Sequence, residues 1–177
     1  MQNSKKILKY EIFSIIFVSI LGTLLHFTFK WSNYNLLVGS FSAVNESTWE
    51  HLKLLFYPML LSTIIGYLYL GKDIPSFLCA RFFAILISLL FTVIFFYTYT
   101  CILGFYISIL NILSFFVAII LGEYVSYKVL ISRLSCDNSK VIIWLCILLF
   151  CFIFFTYFPP QLGLFKDPIT NVFGILQ

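Results

Sequence analysis

The stretch N-E-S-T-W-E-H-L-K, residues 45–53, concentrates polar groups in a chain that is otherwise mostly apolar. It holds two carboxylates, a lysine and one of the two histidines in the chain, directly before a long apolar run. Ser47 followed three residues later by Glu50 is the capping-box pattern of a helix N-terminus. We therefore predict that a helix begins near Thr48. Ser47 should accept a hydrogen bond from the Glu50 amide, and the Glu50 carboxylate should reach back to the Ser47 amide.

The composition around this stretch is that of a protein dissolved in lipid. Of 177 residues, 62% are hydrophobic and only 10% are charged, whereas a soluble domain has about 25% charged residues. The first predicted partner is thus the lipid bilayer. The net charge of +4 is explained by lysines and arginines at the ends of membrane spans, so we exclude nucleic acid as a partner.

The apolar runs predict an all-α fold, a single transmembrane domain with five membrane-spanning helices. Each run approaches the roughly 20 residues that a span requires. The predicted spans cover about residues 11–29, 48–70, 78–100, 106–130 and 141–158. Residues 30–47 form an outer loop and residues 159–177 an outer C-terminal tail. In the tail, Asp167 before Pro168 predicts the start of a short helix.

The positive charges predict the orientation of the spans. Eight lie on the side of the N-terminus: Lys5, Lys6, Lys9, Lys72, Arg81, Lys128, Arg133 and Lys140. Three lie on the other side: Lys30, Lys53 and Lys166. The positive-inside rule then places the N-terminus inside and the C-terminus outside a cell (plasma) membrane.

A polar site is predicted at the outer end of the second span. Glu46, Glu50 and Lys53 share one helical stripe, and two carboxylates one turn apart require a nearby positive charge. Lys53 could supply that charge, with Glu50 used as a cap, or a bound small polar or cationic ligand or lipid headgroup could supply it. The candidate ligand-binding residues are Glu46, Glu50, His51, His26, Lys53 and Asp167.

A metal is one form of that ligand, because zinc or another divalent metal takes histidine and carboxylate ligands. The candidate metal ligands are His26, His51, Glu50 and Asp167. No other cofactor is predicted. Two alternatives to simple ligand binding remain open: a metal-dependent hydrolase at the outer membrane surface, with Glu50 as base, and a scaffold or accessory subunit. The latter would act with a membrane partner protein or as a homo-oligomer.

Two further polar residues lie within predicted spans. Glu123 is an intramembrane carboxylate, which is a functional-site hypothesis by default. Asn111 is predicted to form a helix–helix hydrogen bond. The five cysteines lack C-x-x-C spacing, so we predict neither a disulfide framework nor a zinc knuckle.

The chain resembles a family of small bacterial multi-spanning membrane proteins that is defined only as a domain of unknown function. The resemblance is carried by Val44–Met59, which contains the N-E-S-x-W-E-H-L-K motif, and by His26, Leu121–Lys128 and Leu164–Thr170. It extends over nearly the whole chain. It implies an integral membrane protein and supplies no activity.

Overall fold

A computed structural model describes residues 2–132, 134 and 136–175, and the side chains of residues 4–132, 134 and 136–175. Arg133, used in the charge asymmetry, and Leu176 and Gln177 of the predicted tail lie outside the described residues. The described chain is all-helical. Its helices are α1 (Gln2–Trp31), α2 (Leu36–Gly39), α3 (Thr48–Tyr69), α4 (Phe77–Leu103), α5 (Ser108–Ser132) and α6 (Asn138–Tyr157), with 3₁₀ turns at Gly71–Asp73 and Gly163–Phe165.

The five longer helices are each long and apolar enough to cross a membrane, which confirms the predicted fold class. Large apolar side chains cover the outside of the molecule. Ile20, Ile94 and Phe150, for example, are each more than half exposed. A protein with such a continuous apolar surface would aggregate in water, whereas lipid chains solvate that surface. These helices are therefore those of a multi-pass membrane protein.

The long helices run alternately up and down, so the molecule has two polar ends. We call the end where α1 begins the N-terminal face and the end where α6 finishes the C-terminal face. Helices α1, α3, α4 and α5 form a bundle in which each packs against two neighbours. Helix α6 lies outside this bundle against α4, and its Phe152 packs on Phe56 and Trp49 of α3.

Small residues bring α4 and α5 into close contact. A side chain at Gly122 would collide with the Ser88 hydroxyl and the Ala84 carbonyl. The Ser88 hydroxyl instead donates a hydrogen bond to the carbonyl of Ala118 at 2.8 Å. Close approach through small residues is how membrane helices associate, because lipid provides no hydrophobic driving force between them.

Two of the charges used to predict the orientation lie inside the protein. Arg81 and Lys53 are both fully buried, so each side of the predicted asymmetry loses one residue. The N-terminal face keeps exposed lysines at positions 5, 6, 9, 72, 128 and 140, and the C-terminal face keeps Lys30 and Lys166. The lysine excess therefore remains on the N-terminal face.

The expectation of no disulfide was wrong for one pair. Cys79, in the first turn of α4, is joined to Cys136 in the α5–α6 connection, with Cα atoms 5.4 Å apart. The prediction considered only linear spacing, whereas these cysteines are 57 residues apart and meet because both lie at the N-terminal face. Cys101, Cys146 and Cys151 are free thiols.

The tail turns back over the C-terminal face. The short helix predicted at Asp167 is wrong, because the Asp167 carboxylate instead closes a turn. It accepts hydrogen bonds from the amides of Ile169 at 2.7 Å and Thr170 at 3.1 Å. The Asp167 amide donates to the Val172 carbonyl at 3.0 Å, so the chain reverses direction there.

Candidate functional site

The loop before α3 is anchored to the end of α1. The Ser42 hydroxyl accepts a hydrogen bond from the Phe29 amide at 3.0 Å and donates to the Leu25 carbonyl. Ser40 bonds to the Tyr157 hydroxyl of α6 at 2.7 Å. These contacts fix residues 40–44 across the C-terminal face and so determine where residues 45–47 lie.

The helix start is where the sequence predicts it, but only half of the capping box forms. The Ser47 hydroxyl accepts a hydrogen bond from the Glu50 amide at 3.4 Å, as predicted. The reciprocal bond from the Ser47 amide to Glu50 was wrong, because that amide donates to the Asn45 side chain at 2.8 Å. Glu50 is thereby available for another partner.

Glu50 and Lys53 form a buried ion pair, with exposures of 2% and 0%. The Glu50 carboxylate also accepts hydrogen bonds from the Val44 amide at 3.0 Å and the Thr156 hydroxyl at 3.2 Å. The Lys53 ammonium donates to the Gly39 carbonyl at 2.8 Å and to Thr156 at 2.9 Å. Partners from the loop and from α6 thus satisfy both charges, and the pair ties three segments together.

The tail is fastened to the same loop through two polar contacts. The Asn45 amide group donates to the Gly174 carbonyl at 2.8 Å. The backbone amide of Glu46 donates to the Asp167 carboxylate at 3.2 Å. Asp167 is only 3% exposed. Its carboxylate therefore holds the backbone of Glu46 and leaves the side chain of Glu46 directed elsewhere.

The side chains of His26, Glu46 and His51 come together and form what we call the histidine–glutamate cluster. The His51 Nε2 lies 3.3 Å from one Glu46 oxygen, and the His26 Nε2 lies 3.9 Å from the other. The centroids of the two imidazole rings are 5.4 Å apart. All three side chains are about one-third exposed, at 28% for His26, 35% for Glu46 and 34% for His51.

The hydrogen bonds around the cluster set the protonation states of His51 and Glu46. The Nδ1 of His51 lies 2.9 Å from the Ser47 carbonyl. A carbonyl can only accept, so Nδ1 carries a proton. The imidazolium form of His51 also donates from Nε2 to the Glu46 carboxylate, whereas the neutral ring keeps a lone pair on Nε2. The hydrogen bond to His51 lowers the pKa of the Glu46 carboxyl, against the smaller opposing effect of burial. Glu46 is thus a carboxylate at neutral pH.

The six candidate ligand-binding residues therefore separate into three groups. His26, Glu46 and His51 meet, and Glu50 and Lys53 pair with each other in the interior. Asp167 bonds to the backbone of Glu46 but does not join either group. The predicted stripe through Glu46 and Glu50 is wrong, because Glu46 precedes the Ser47 cap and does not belong to α3. Among the described residues, the one group of three or more potential metal ligands is the histidine–glutamate cluster.

A second polar site lies inside the bundle, and we call it the arginine cluster. Arg81 of α4 forms hydrogen bonds through both terminal nitrogens to Glu123 of α5, and one is 2.9 Å long. The same guanidinium contacts Glu11 of α1 at 3.3 Å. All three residues are at most 3% exposed. Of these three residues, only Glu123 was a predicted site residue, because Arg81 was counted solely as a charge near a span end and Glu11 was not singled out.

Asn111 lies apart from both clusters. Its side-chain oxygen accepts a hydrogen bond from the Tyr99 hydroxyl of α4. That hydroxyl in turn accepts from the Ile107 amide at 3.3 Å, just before α5 begins. Asn111 thus joins α4 to α5 next to their connecting turn.

The fold and these sites define a multi-pass membrane protein of the helical-bundle class, with one polar cluster at a face and one in the interior. Within that class, the chain belongs to a family of unknown function, DUF6512, whose model matches residues 1–175. No curated protein and no solved structure matches the chain.

Proposed function

We propose that this membrane protein binds a divalent transition metal, with zinc as the best fit, at its C-terminal face. The observation that carries the proposal is the histidine–glutamate cluster, in which three potential ligand atoms lie within 4.8 Å of one another. Two imidazoles and one carboxylate are the ligand set of many open zinc sites. The metal would be the cationic ligand that the polar stretch before α3 accommodates.

The distances support this proposal. Ligand bonds of about 2.0–2.1 Å in a tetrahedral zinc site place neighbouring ligand atoms roughly 3.3 Å apart. The His51–Glu46 separation is 3.3 Å and the His26–Glu46 separation is 3.9 Å. These two contacts use different oxygens of Glu46. A rotation of the carboxylate together with a small movement of His26 would therefore complete three of the four ligand positions. Since the cluster is partly exposed, the fourth position would face solvent.

The surroundings support the ligand orientation as well. A metal-binding histidine usually donates its second ring nitrogen to a carbonyl or carboxylate, which fixes the ring and its tautomer. The Ser47 carbonyl provides that partner to His51. The Glu46 amide donates to Asp167 and the Ser47 amide donates to the Asn45 side chain, so the Glu46 carboxylate projects from a fixed segment of backbone.

The hydrolase alternative lacks its proposed base in this arrangement. Glu50, to which the sequence assigned that role, is buried in the pair with Lys53. Within the described part of the chain, no second carboxylate joins the cluster. The geometry therefore favours metal binding over hydrolysis.

Metal analysis of detergent-purified protein tests the proposal. After reconstitution with zinc and removal of free metal, elemental mass spectrometry should find about one zinc per wild-type chain. His51→Ala and Glu46→Gln should lose it. Asp73→Asn removes an exposed carboxylate at the opposite face and should retain it. Metal-free wild type, or equal zinc in wild type and His51→Ala, would overturn the proposal.

The lysine excess on the N-terminal face supports an orientation in which the metal site faces the outside of a plasma membrane. Cys101 provides the test, because it is an exposed free thiol near the C-terminal face. A membrane-impermeant maleimide should label intact cells that express the wild type and should fail to label Cys101→Ser. Labelling that occurs only after lysis would contradict this orientation.

A further inference from the structure

The arginine cluster contains an ionisable pair that the proposed metal site does not use. We propose that Glu11 and Glu123 share one bound proton, so that the arginine cluster is an intramembrane proton-binding site. The proposal is independent of metal binding, because the two clusters share no residue and lie toward opposite faces of the bundle.

Arg81 makes more hydrogen bonds to Glu123 than to Glu11. Its two terminal nitrogens each bond to an oxygen of Glu123, which is the paired arrangement that arginine forms with a carboxylate. Glu11 receives a single contact, from the terminal nitrogen that already bonds to Glu123. The charge of the guanidinium is thus matched by Glu123, and Glu11 remains the second carboxyl at a site with one cation.

Among the residues that the structure describes, the groups that contact Glu11 supply no second cation. Helix α4 contributes Arg81, and α5 contributes Glu123 and the Ser126 hydroxyl, which donates to Glu11 at 2.8 Å. Tyr10 precedes Glu11 on α1 and lies under the guanidinium of Arg81. From α3 the cluster receives only hydroxyl groups, those of Ser62 and Thr63.

Two ionised carboxylates would therefore leave one uncompensated negative charge inside the bundle. An unpaired buried charge is so costly that the group takes up a proton instead. The carboxyl groups of Glu11 and Glu123 also lie side by side, because one terminal nitrogen of Arg81 bonds to an oxygen of each. Carboxyl groups at that separation cannot both ionise, and they hold one proton between them.

A row of hydroxyl groups gives this proton a route away from the pair. The Ser14 hydroxyl donates to Glu123 at 2.8 Å and lies 2.6 Å from the Ser62 hydroxyl. Ser62 is in turn 3.3 Å from the Tyr10 hydroxyl, one turn nearer the N-terminal face. Each hydroxyl can pass its own proton forward and accept the next, so the transfer requires no other reactant. The structure thus connects the pair toward that face.

Infrared spectroscopy of the protein in lipid membranes tests the proposal. At neutral pH, wild type should show the C=O stretching band of a protonated carboxyl group. Glu11→Gln should lose that band, since the amide has the shape of the protonated acid but carries no carboxyl. Glu46→Gln is the matched control, because it replaces a carboxylate outside the arginine cluster and should keep the band.

Glu123→Gln distinguishes between two explanations of the protonated carboxyl group: a proton shared with Glu123, and a proton that Glu11 holds only because it is buried. Without Glu123, the guanidinium of Arg81 is free to compensate Glu11, which should ionise, so the band should disappear. A band that persists in Glu123→Gln, or that is missing from wild type, overturns the proposal. If Glu11→Gln does not fold, the wild-type and Glu123→Gln spectra still decide the outcome, and neither depends on zinc.

Discussion

The arginine cluster and the histidine–glutamate cluster each combine carboxylates with nitrogen-bearing side chains, yet they differ in exposure. Arg81 and Glu123 are at most 1% exposed, and their partners all come from the surrounding helices. The side chains of the histidine–glutamate cluster are about one-third exposed. A buried charge depends on fixed partners, whereas a partly exposed one can exchange its partner for water or an ion. The first cluster should thus stabilise the fold, and the second can hold an exchangeable ligand.

The strongest test of this comparison is Arg81→Met. Removing the guanidinium leaves two carboxyl groups in the interior without their cation, and breaking a buried ion pair in this way costs about 3–5 kcal/mol. We expect a loss of that size in the free energy of unfolding, measured by titration with a denaturing detergent. His51→Ala in zinc-free protein should lose far less. Equal losses would remove the distinction between the clusters.

A neutral version of the arginine cluster provides the control. In the triple variant Glu11→Gln, Arg81→Met, Glu123→Gln, no charge remains in the arginine cluster, and replacing a whole buried ionic group is often nearly neutral. The triple variant should therefore be more stable than Arg81→Met alone. If it is equally unstable, the loss comes from packing around Arg81 and not from unpaired charge.

Lys53→Met tests whether the loss of unfolding free energy depends on how deeply an ion pair is buried or on which face of the bundle it lies near. Lys53 and Glu50 lie near the histidine–glutamate cluster but are as buried as the arginine cluster. Glu50 would keep the Val44 amide and the Thr156 hydroxyl as partners, so we expect a loss of about 3 kcal/mol, at the lower end of the range. Adding Glu50→Gln should restore part of it. A loss as small as that of His51→Ala would mean that position matters more than burial.

The parts of the fold that depend on local pattern could be predicted from the sequence. Span length and apolar content identified the five long helices, and the spacing of Ser47 and Glu50 located the start of α3. Each of these features is set by residues within a turn or a span of one another. His26, Glu46 and His51 were all among the predicted ligand-binding residues, because polar residues are conspicuous in an apolar chain. The predicted metal ligands, however, included Glu50 and Asp167 and left out Glu46.

The parts that depend on which helices are neighbours could not be predicted. Glu11, Arg81 and Glu123 lie on three different helices and meet only because α1 and α4 both pack against α5. Cys79 and Cys136 likewise meet through the packing of α4 beside the α5–α6 connection. A charge near the end of a span looks the same in the sequence whether it faces water or the interior of the bundle. Arg81 was therefore counted only as a charge near the inner end of the third span.

Ser47→Ala should have a moderate effect on stability and little effect on metal binding. The substitution removes the side-chain cap of α3, which costs about 1 kcal/mol. The hydrogen bond that orients His51 goes to the backbone carbonyl of Ser47 and survives the change. Unfolding and zinc titration of the same preparation should separate the two effects. A variant that loses zinc while keeping full stability would show that the Ser47 hydroxyl serves the metal site directly.

The smallest expected effect is the pH dependence due to Glu46. Since the hydrogen bond to His51 lowers the pKa of the folded Glu46 carboxyl, ionised Glu46 stabilises the protein at pH values above its unfolded pKa of about 4.3. That stability is lost as the pH falls through the lower, folded pKa. The carboxylate is about one-third exposed and screened by solvent, so we expect less than about 1 kcal/mol. In zinc-free protein, wild type should be more stable than Glu46→Gln at about pH 7, and the difference should vanish at about pH 3. A difference that is the same at both values would assign the contribution of Glu46 to packing.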